Sequence, residues 1–144
     1  MHYIQRILTP PKESFFLLGP RGTGKSTWLV HVYPNATRID LLQPEQERIY
    51  LAAPERLREI VDAMSDGVII LDEIQRAPGL LPVIHSLIEE GKPIQFIMTG
   101  SSARKLRREV GNLLGVFNSR QKMYPYVRIC AHEEYVLSLK SLRY

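Results

Sequence analysis

The chain has 144 residues, 44% of them hydrophobic and 24% charged, with a formal net charge of +4. This composition excludes a disordered segment, and the length fits one domain with a buried core but not a second full domain beside it. No apolar run approaches the ~20 residues of a membrane span, and Met1-His2-Tyr3-Ile4-Gln5-Arg6 lacks a signal-peptide core.

The single cysteine, Cys130, has no internal disulfide partner. A reducing, cytoplasmic location with no membrane partner is therefore the expectation, and Cys130 reads as an inert strand residue rather than a nucleophile. The basic balance is compatible with nucleic acid without requiring it. Arg104-Lys105-Leu106-Arg107-Arg108 carries the densest charge, but no aromatic residues are interleaved to stack on bases. It reads as a solvated helical face, or else as an anion or partner contact.

Residues 1–14 form a lead-in, in which Pro10-Pro11 excludes regular structure. Phe15-Phe16-Leu17-Leu18 is a short apolar run of the kind expected for a strand buried on both faces. Gly19-Pro20-Arg21-Gly22-Thr23-Gly24-Lys25-Ser26-Thr27 follows at once and fits G-x-x-x-x-G-K-[ST], the phosphate-binding loop. Glycines let the backbone turn at positive φ and approach an anion, so that successive N–H groups face phosphate oxygens. Lys25 is placed to reach the β- and γ-phosphates, and the Ser26 hydroxyl to occupy one position on magnesium. Trp28, Leu29, Val30 and Val32 continue as a helix that Pro34-Asn35 stops. A strand before the loop and a helix after it are the context the motif needs, and they weigh against a glycine-rich surface turn that happens to carry a lysine.

Thr37-Arg38-Ile39-Asp40-Leu41-Leu42 reads as a second strand. Pro44 opens a short helix with Glu45 and Glu47 near its favourable end. Pro54 opens another, with Leu57, Ile60, Val61 and Met64 in one apolar stripe facing a sheet. After an Asp66-Gly67 turn, Val68-Ile69-Ile70-Leu71 reads as a central strand, and Asp72-Glu73 stands at its carboxyl end. Carboxylates are costly beside a core, but that edge of an open α/β sheet is where ligands sit. Asp72 would hold magnesium through water, and Glu73 would orient and deprotonate an attacking water. The competing reading is a solvated acidic turn.

Pro78-Gly79 precedes a helix over Leu80 to Glu90, with Leu80, Leu81, Ile84, Leu87 and Ile88 inward and His85, Ser86, Glu89 and Glu90 outward. Gly91 and Pro93 end it, and His85, lacking a metal-spaced partner, is a surface or packing residue. Ile94 to Thr99 is a further strand, followed by Gly100-Ser101-Ser102. These hydroxyls suit either a hydrogen bond to the γ-phosphate or attacking water, or the capping of the next helix. Tyr124 to Cys130 is a fifth strand, with Pro125 at a sheet edge or at the strand's start, and Glu133 to Leu142 is a terminal helix.

The phosphate loop, the run Leu71-Asp72-Glu73-Ile74-Gln75-Arg76-Ala77-Pro78 and the run Thr99-Gly100-Ser101-Ser102-Ala103-Arg104-Lys105-Leu106 together resemble the prokaryotic AAA-type ATP-binding proteins, over roughly residues 3–115. The resemblance implies an α/β P-loop NTPase fold, a three-layer sandwich with a mainly parallel central sheet of about five strands. It implies ATP and Mg2+ as ligands, with the matching roles for Lys25, Ser26, Asp72 and Glu73. By the same likeness Thr99 to Ser102 is the sensor segment, with Thr99 and Ser101 joining the loop residues in the nucleotide site, and Arg76 lies near that site. The sequence departs from its relatives at Asn112-Leu113-Leu114-Gly115, which runs into Val116-Phe117-Asn118 without the arginine they carry. The expected organisation is a lead-in over 1–14, an ATPase core over 15–115, and an altered or incomplete remainder over 116–144. The chain stops where the C-terminal domain of a relative would begin and so looks truncated or partly degraded, and neither a helical lid nor a partner-supplied arginine finger is assumed. Neither a protein partner nor self-association is readable.

The reaction expected is hydrolysis of ATP to ADP and phosphate. The alternative is a catalytically weak nucleotide-binding fragment that acts as an interaction module or survives as a remnant. A small-molecule kinase is disfavoured because adjacent acids suit water activation, and a GTPase because no Asn-Lys-x-Asp segment occurs.

Overall fold

The computed structural model describes residues 10, 12–18, 25–100, 127–130 and 134–137 of the chain. Within them six strands form one sheet: β1 (Phe15–Leu18), β2 (Thr37–Asp40), β3 (Gly67–Asp72), β4 (Ile94–Gly100), β5 (Val127–Cys130) and β6 (Glu134–Leu137). The order across the sheet is β2-β3-β4-β1-β5-β6. The first five of these run parallel, and β6 pairs antiparallel with β5. Four helices accompany them: α1 (Lys25–Val32), α2 (Pro44–Ala52), α3 (Arg56–Asp62) and α4 (Leu80–Glu89). None is long and apolar enough to cross a membrane.

The period-2 alternation of strand side chains sorts the core into two halves. Phe16, Ile39, Ile69, Leu71, Phe96 and Met98 pack with Tyr50 of α2, Leu57 and Val61 of α3 and Leu80, Ile84 and Leu87 of α4. Their neighbours in sequence, Phe15, Leu17, Ile70 and Ile97, point the other way onto Trp28 and Leu29 of α1. The result is a three-layer α/β sandwich with α1 on one face and α2, α3 and α4 on the other. Because both faces are covered, β3 and β4 are apolar at nearly every position. Each fully buried Leu, Ile or Phe contributes about 1.5–3 kcal/mol by leaving water.

The local punctuation explains the boundaries. Pro44 sits in the first turn of α2 with Glu45 and Glu47 beside it. The α3 helix begins two residues after Pro54, whose carbonyl accepts the Leu57 N–H at 3.2 Å. Gly67 enters β3 at φ 135°, a conformation side chains avoid, and a Cβ there would meet Met64 Cε at 3.0 Å. The start of β1 is fixed to its neighbour: the Phe96 N–H donates to the Ser14 hydroxyl at 2.9 Å, and Gln95 Nε2 donates to the Glu13 carbonyl at 2.9 Å.

Two expectations need correction. The helix expected from Glu133 to Leu142 is replaced over Glu134–Leu137 by strand β6, hydrogen-bonded along β5 with Cys130 opposite Glu134 and Val127 opposite Leu137. Val136, Leu137 and Leu139 suit a helical stripe, but a glutamate, an aromatic and a β-branched residue in series suit a strand as well, and pairing with β5 decides. Among the described residues the sheet accordingly has six strands rather than about five. The strand β5, described over Val127–Cys130, lies between β1 and β6 rather than at an edge, and Pro125 lies outside the described residues.

Candidate functional site

All five parallel strands finish on one side of the sheet. In register, Leu18 of β1 stands beside Gly100 of β4, and Asp40 of β2 beside Asp72 of β3. The expected acid pair, Asp72 and Glu73, therefore lies on the carboxyl edge, the edge where open α/β sheets take ligands. Lys25 opens α1 after the connection from β1. Only β4 separates β1 from β3, so the two strand ends are about 10 Å apart, two strand spacings. Lys25 is 7% exposed, and Asp72 and Glu73 are each 6% exposed. One ammonium group and two carboxylates held out of water are costly for a fold unless paired, and their gathering makes this edge the candidate site. Ser26 and Thr27 are exposed on the first turn of α1. Gly19, Pro20, Arg21, Gly22, Thr23 and Gly24, like Ser101 and the Arg104–Arg108 cluster, lie outside the described residues.

Thr99 ties the two acids together. Its hydroxyl donates to Asp72 Oδ1 at 3.1 Å and accepts the Glu73 backbone N–H at 3.1 Å, so one buried group uses both its donor and an acceptor lone pair. The other Asp72 oxygen, Oδ2, forms an ion pair with Arg38 Nη2 at 2.5 Å. Strand parity explains the meeting. Arg38, Asp72 and Thr99 occupy the same alternation phase as Ile70 and Ile97, the face that α1 covers.

Glu73 leaves the strand in the left-handed region, at φ 61° and ψ 52°. Among the described residues it is the only non-glycine with positive φ. Such a conformation costs about 1–3 kcal/mol and is held only when surrounding contacts impose it. Here those contacts are the Thr99 hydroxyl at its N–H and the 3-10 turn Ile74–Arg76, in which the Arg76 N–H donates to the Glu73 carbonyl at 3.0 Å. The Glu73 carboxylate accepts a hydrogen bond at Oε2 from Gln75 Nε2. Arg76, expected near the site, pairs with Glu47 Oε2 of α2 at 3.2 Å and so links the turn after Glu73 to the helix above it.

The donor set suits a hard divalent ion. Each Asp72 oxygen accepts a hydrogen bond from protein and has a second lone pair, and the Ser26 hydroxyl could supply a second oxygen. Among the described residues no group of three or more His, Cys, Asp or Glu could cage a metal. Magnesium takes only one or two ligands from protein and keeps water and substrate phosphate for the rest, so Asp72 and Ser26 are the residues that could hold it.

Two members of this constellation were not anticipated from the sequence: Arg38, as the counter-ion of Asp72, and Gln75, as the partner of Glu73. For Arg38 the signal was present in its alternation with Ile39, but it becomes informative only when β2 is known to pair with β3. No curated protein matches the chain. Residues 11–127 match the family described as AAA domain, which spans most of the chain and reaches the first residue of β5. The chain, with its parallel sheet and its acid pair at the carboxyl edge, belongs to that family of nucleotide-binding, ATPase-like domains.

Proposed function

We propose that the chain is a magnesium-dependent ATPase that hydrolyses ATP to ADP and phosphate. The observation that carries this reading is the burial of Lys25, Asp72 and Glu73 on neighbouring elements at one edge of the sheet. Residues Gly19 to Thr27 would wrap the triphosphate with backbone N–H groups, and Lys25 would balance charge on the β- and γ-phosphates. Ser26 and Asp72 would hold magnesium, which when bound neutralises phosphate charge. Glu73 would orient a water and take its proton as the water oxygen bonds to the γ-phosphorus, while the bond to the bridging oxygen breaks and its electron pair leaves with ADP. Thr99, bonded to both acids, sets their relative position and, with Ser101, is the candidate sensor of the γ-phosphate. Residues 15–115 would constitute the ATPase core and residues 116–144 its altered remainder, in a larger protein if a C-terminal domain follows as in the relatives it resembles.

The test is a pair of variants. Lys25→Ala should abolish ATP binding measured by calorimetry, whereas Glu73→Gln should bind ATP like the parent and release no phosphate above buffer. Equal phosphate release by Glu73→Gln and the parent would remove Glu73 from this role. A second reading, a nucleotide-binding module without useful turnover, draws on the hydrogen bond from Gln75 that engages Glu73. ATP binding by the parent with no multiple turnover would favour it.

A further inference from the structure

We propose that Arg38 is a positioning residue that serves as a stand-in cation for Asp72 and competes with magnesium for it. The proposal rests on the reading of Asp72 as a magnesium-holding carboxylate. Asp72 is 6% exposed, and a carboxylate this far out of water needs a counter-charge whenever no metal is near. Arg38 supplies it from the adjacent strand, with Nη2 on Oδ2. Thr99 already donates to Oδ1. Both oxygens are thus engaged by protein, one by a neutral donor and one by a full positive charge.

The two contacts differ in what they do to a second cation. The hydroxyl has no net charge, so it orients the carboxylate without opposing a metal. The guanidinium occupies one oxygen and repels any cation that approaches the other, and arginine does not deprotonate to escape. The Arg38 side chain is about one-third exposed, whereas that of Asp72 is nearly buried. The arginine can therefore swing toward solvent at small cost, and the aspartate cannot. Arrival of a magnesium-bound triphosphate would displace the guanidinium from Asp72, and departure of the metal would return it. The arginine lowers the cost of the metal-free state and correspondingly weakens the preference for metal-bound over metal-free nucleotide.

This predicts opposite shifts from one substitution. In Arg38→Gln the metal-free chain is less stable, because Asp72 loses its counter-charge. Its binding of a non-hydrolysable ATP analogue becomes weaker in EDTA, where carboxylate and triphosphate now repel without screening, and tighter in excess magnesium. The ratio of the two dissociation constants, EDTA over magnesium, should rise about fivefold to tenfold over the parent, below the range for a buried charged hydrogen bond because Arg38 is partly solvated. In an Asp72→Asn background the same Arg38 substitution should leave the ratio unchanged. Arg38→Lys keeps the charge, and its ratio should stay within about twofold of the parent; it also serves if Arg38→Gln does not fold, since a rise as large as tenfold in Arg38→Lys would overturn the assignment to charge. An unchanged ratio in Arg38→Gln, with the parent binding the analogue normally, overturns the stand-in role and leaves the proposed ATPase intact. Failure of the parent to bind the analogue under either condition overturns both.

Discussion

Thr99→Val tests whether a single hydroxyl holds the site together. Thr99 is 2% exposed, and valine has nearly its shape, so the substitution removes hydrogen bonding without opening a large cavity. Two bonds disappear: the one donated to Asp72 Oδ1 and the one accepted from the Glu73 N–H. A buried N–H left without an acceptor costs about 1–3 kcal/mol, and a hydrogen bond to a charged group contributes about 1.5–3 kcal/mol. Arg38 remains on the other Asp72 oxygen, so the lower halves of these ranges apply and the expected loss is about 3 kcal/mol. With an unfolding entropy of about 2.1 cal/mol/K per residue over 144 residues, that is a fall in Tm of roughly 10 °C. Thr99→Ser is the control: it keeps the hydroxyl and loses one methyl, about 1 kcal/mol. Urea denaturation followed by far-ultraviolet circular dichroism measures both. If Thr99→Val and Thr99→Ser unfolded at the same urea concentration, the hydroxyl bridge would carry no stability and the account of how the acids are positioned would fail.

The left-handed backbone at Glu73 gives a second comparison. Glu73→Gly and Glu73→Ala both delete the carboxylate, but only glycine is at ease at φ 61°, so the glycine variant should be more stable by about 1 kcal/mol in the same urea assay. At the surface, Glu90 is held below its ordinary value of 4.5 by the hydrogen bond from Arg58, and its exposure keeps the effect small. A depressed carboxyl pKa in the folded chain means that this contribution is present above about pH 4.5 and is lost as pH falls through the lower folded value. The difference in urea midpoint between the parent and Arg58→Ala should therefore shrink on acidification below pH 4.5, while a constant difference would assign it to packing alone. At the alkaline end, burial raises the Tyr33 and Tyr50 hydroxyls above 10.0, so stability should decline as pH rises past that value through their folded pKa values.

Much of the fold was legible because its signals are local. A run such as Val68 to Leu71, apolar at consecutive positions, has few alternatives to a covered strand, and Leu57, Ile60 and Val61 announce which side of their helix meets the sheet. Asp72 and Glu73 stood out because acids directly after such a run have a cost that needs an explanation. What escaped depends on partners distant in sequence. Glu134 to Leu137 became a strand through β5, and Arg38 reached Asp72 across 34 positions of sequence. The role of Thr99 lay between these cases: its type and place were readable, but that it bonds the side chain of one acid and the backbone of the other required the β3-β4 register.

The position of β1 has a consequence for how the protein is made. The earliest strand among the described residues is an interior one, flanked by β4 and β5, which leave the ribosome roughly eighty and more than a hundred residues later at about 5–20 residues per second. For several seconds Phe15, Phe16 and Leu17 therefore have neither of their eventual neighbours on either edge. Assembly of the middle of the sheet must wait for the synthesis of its late strands, and a nascent chain stalled before Ile94 would present an unpaired apolar strand to whatever is nearby.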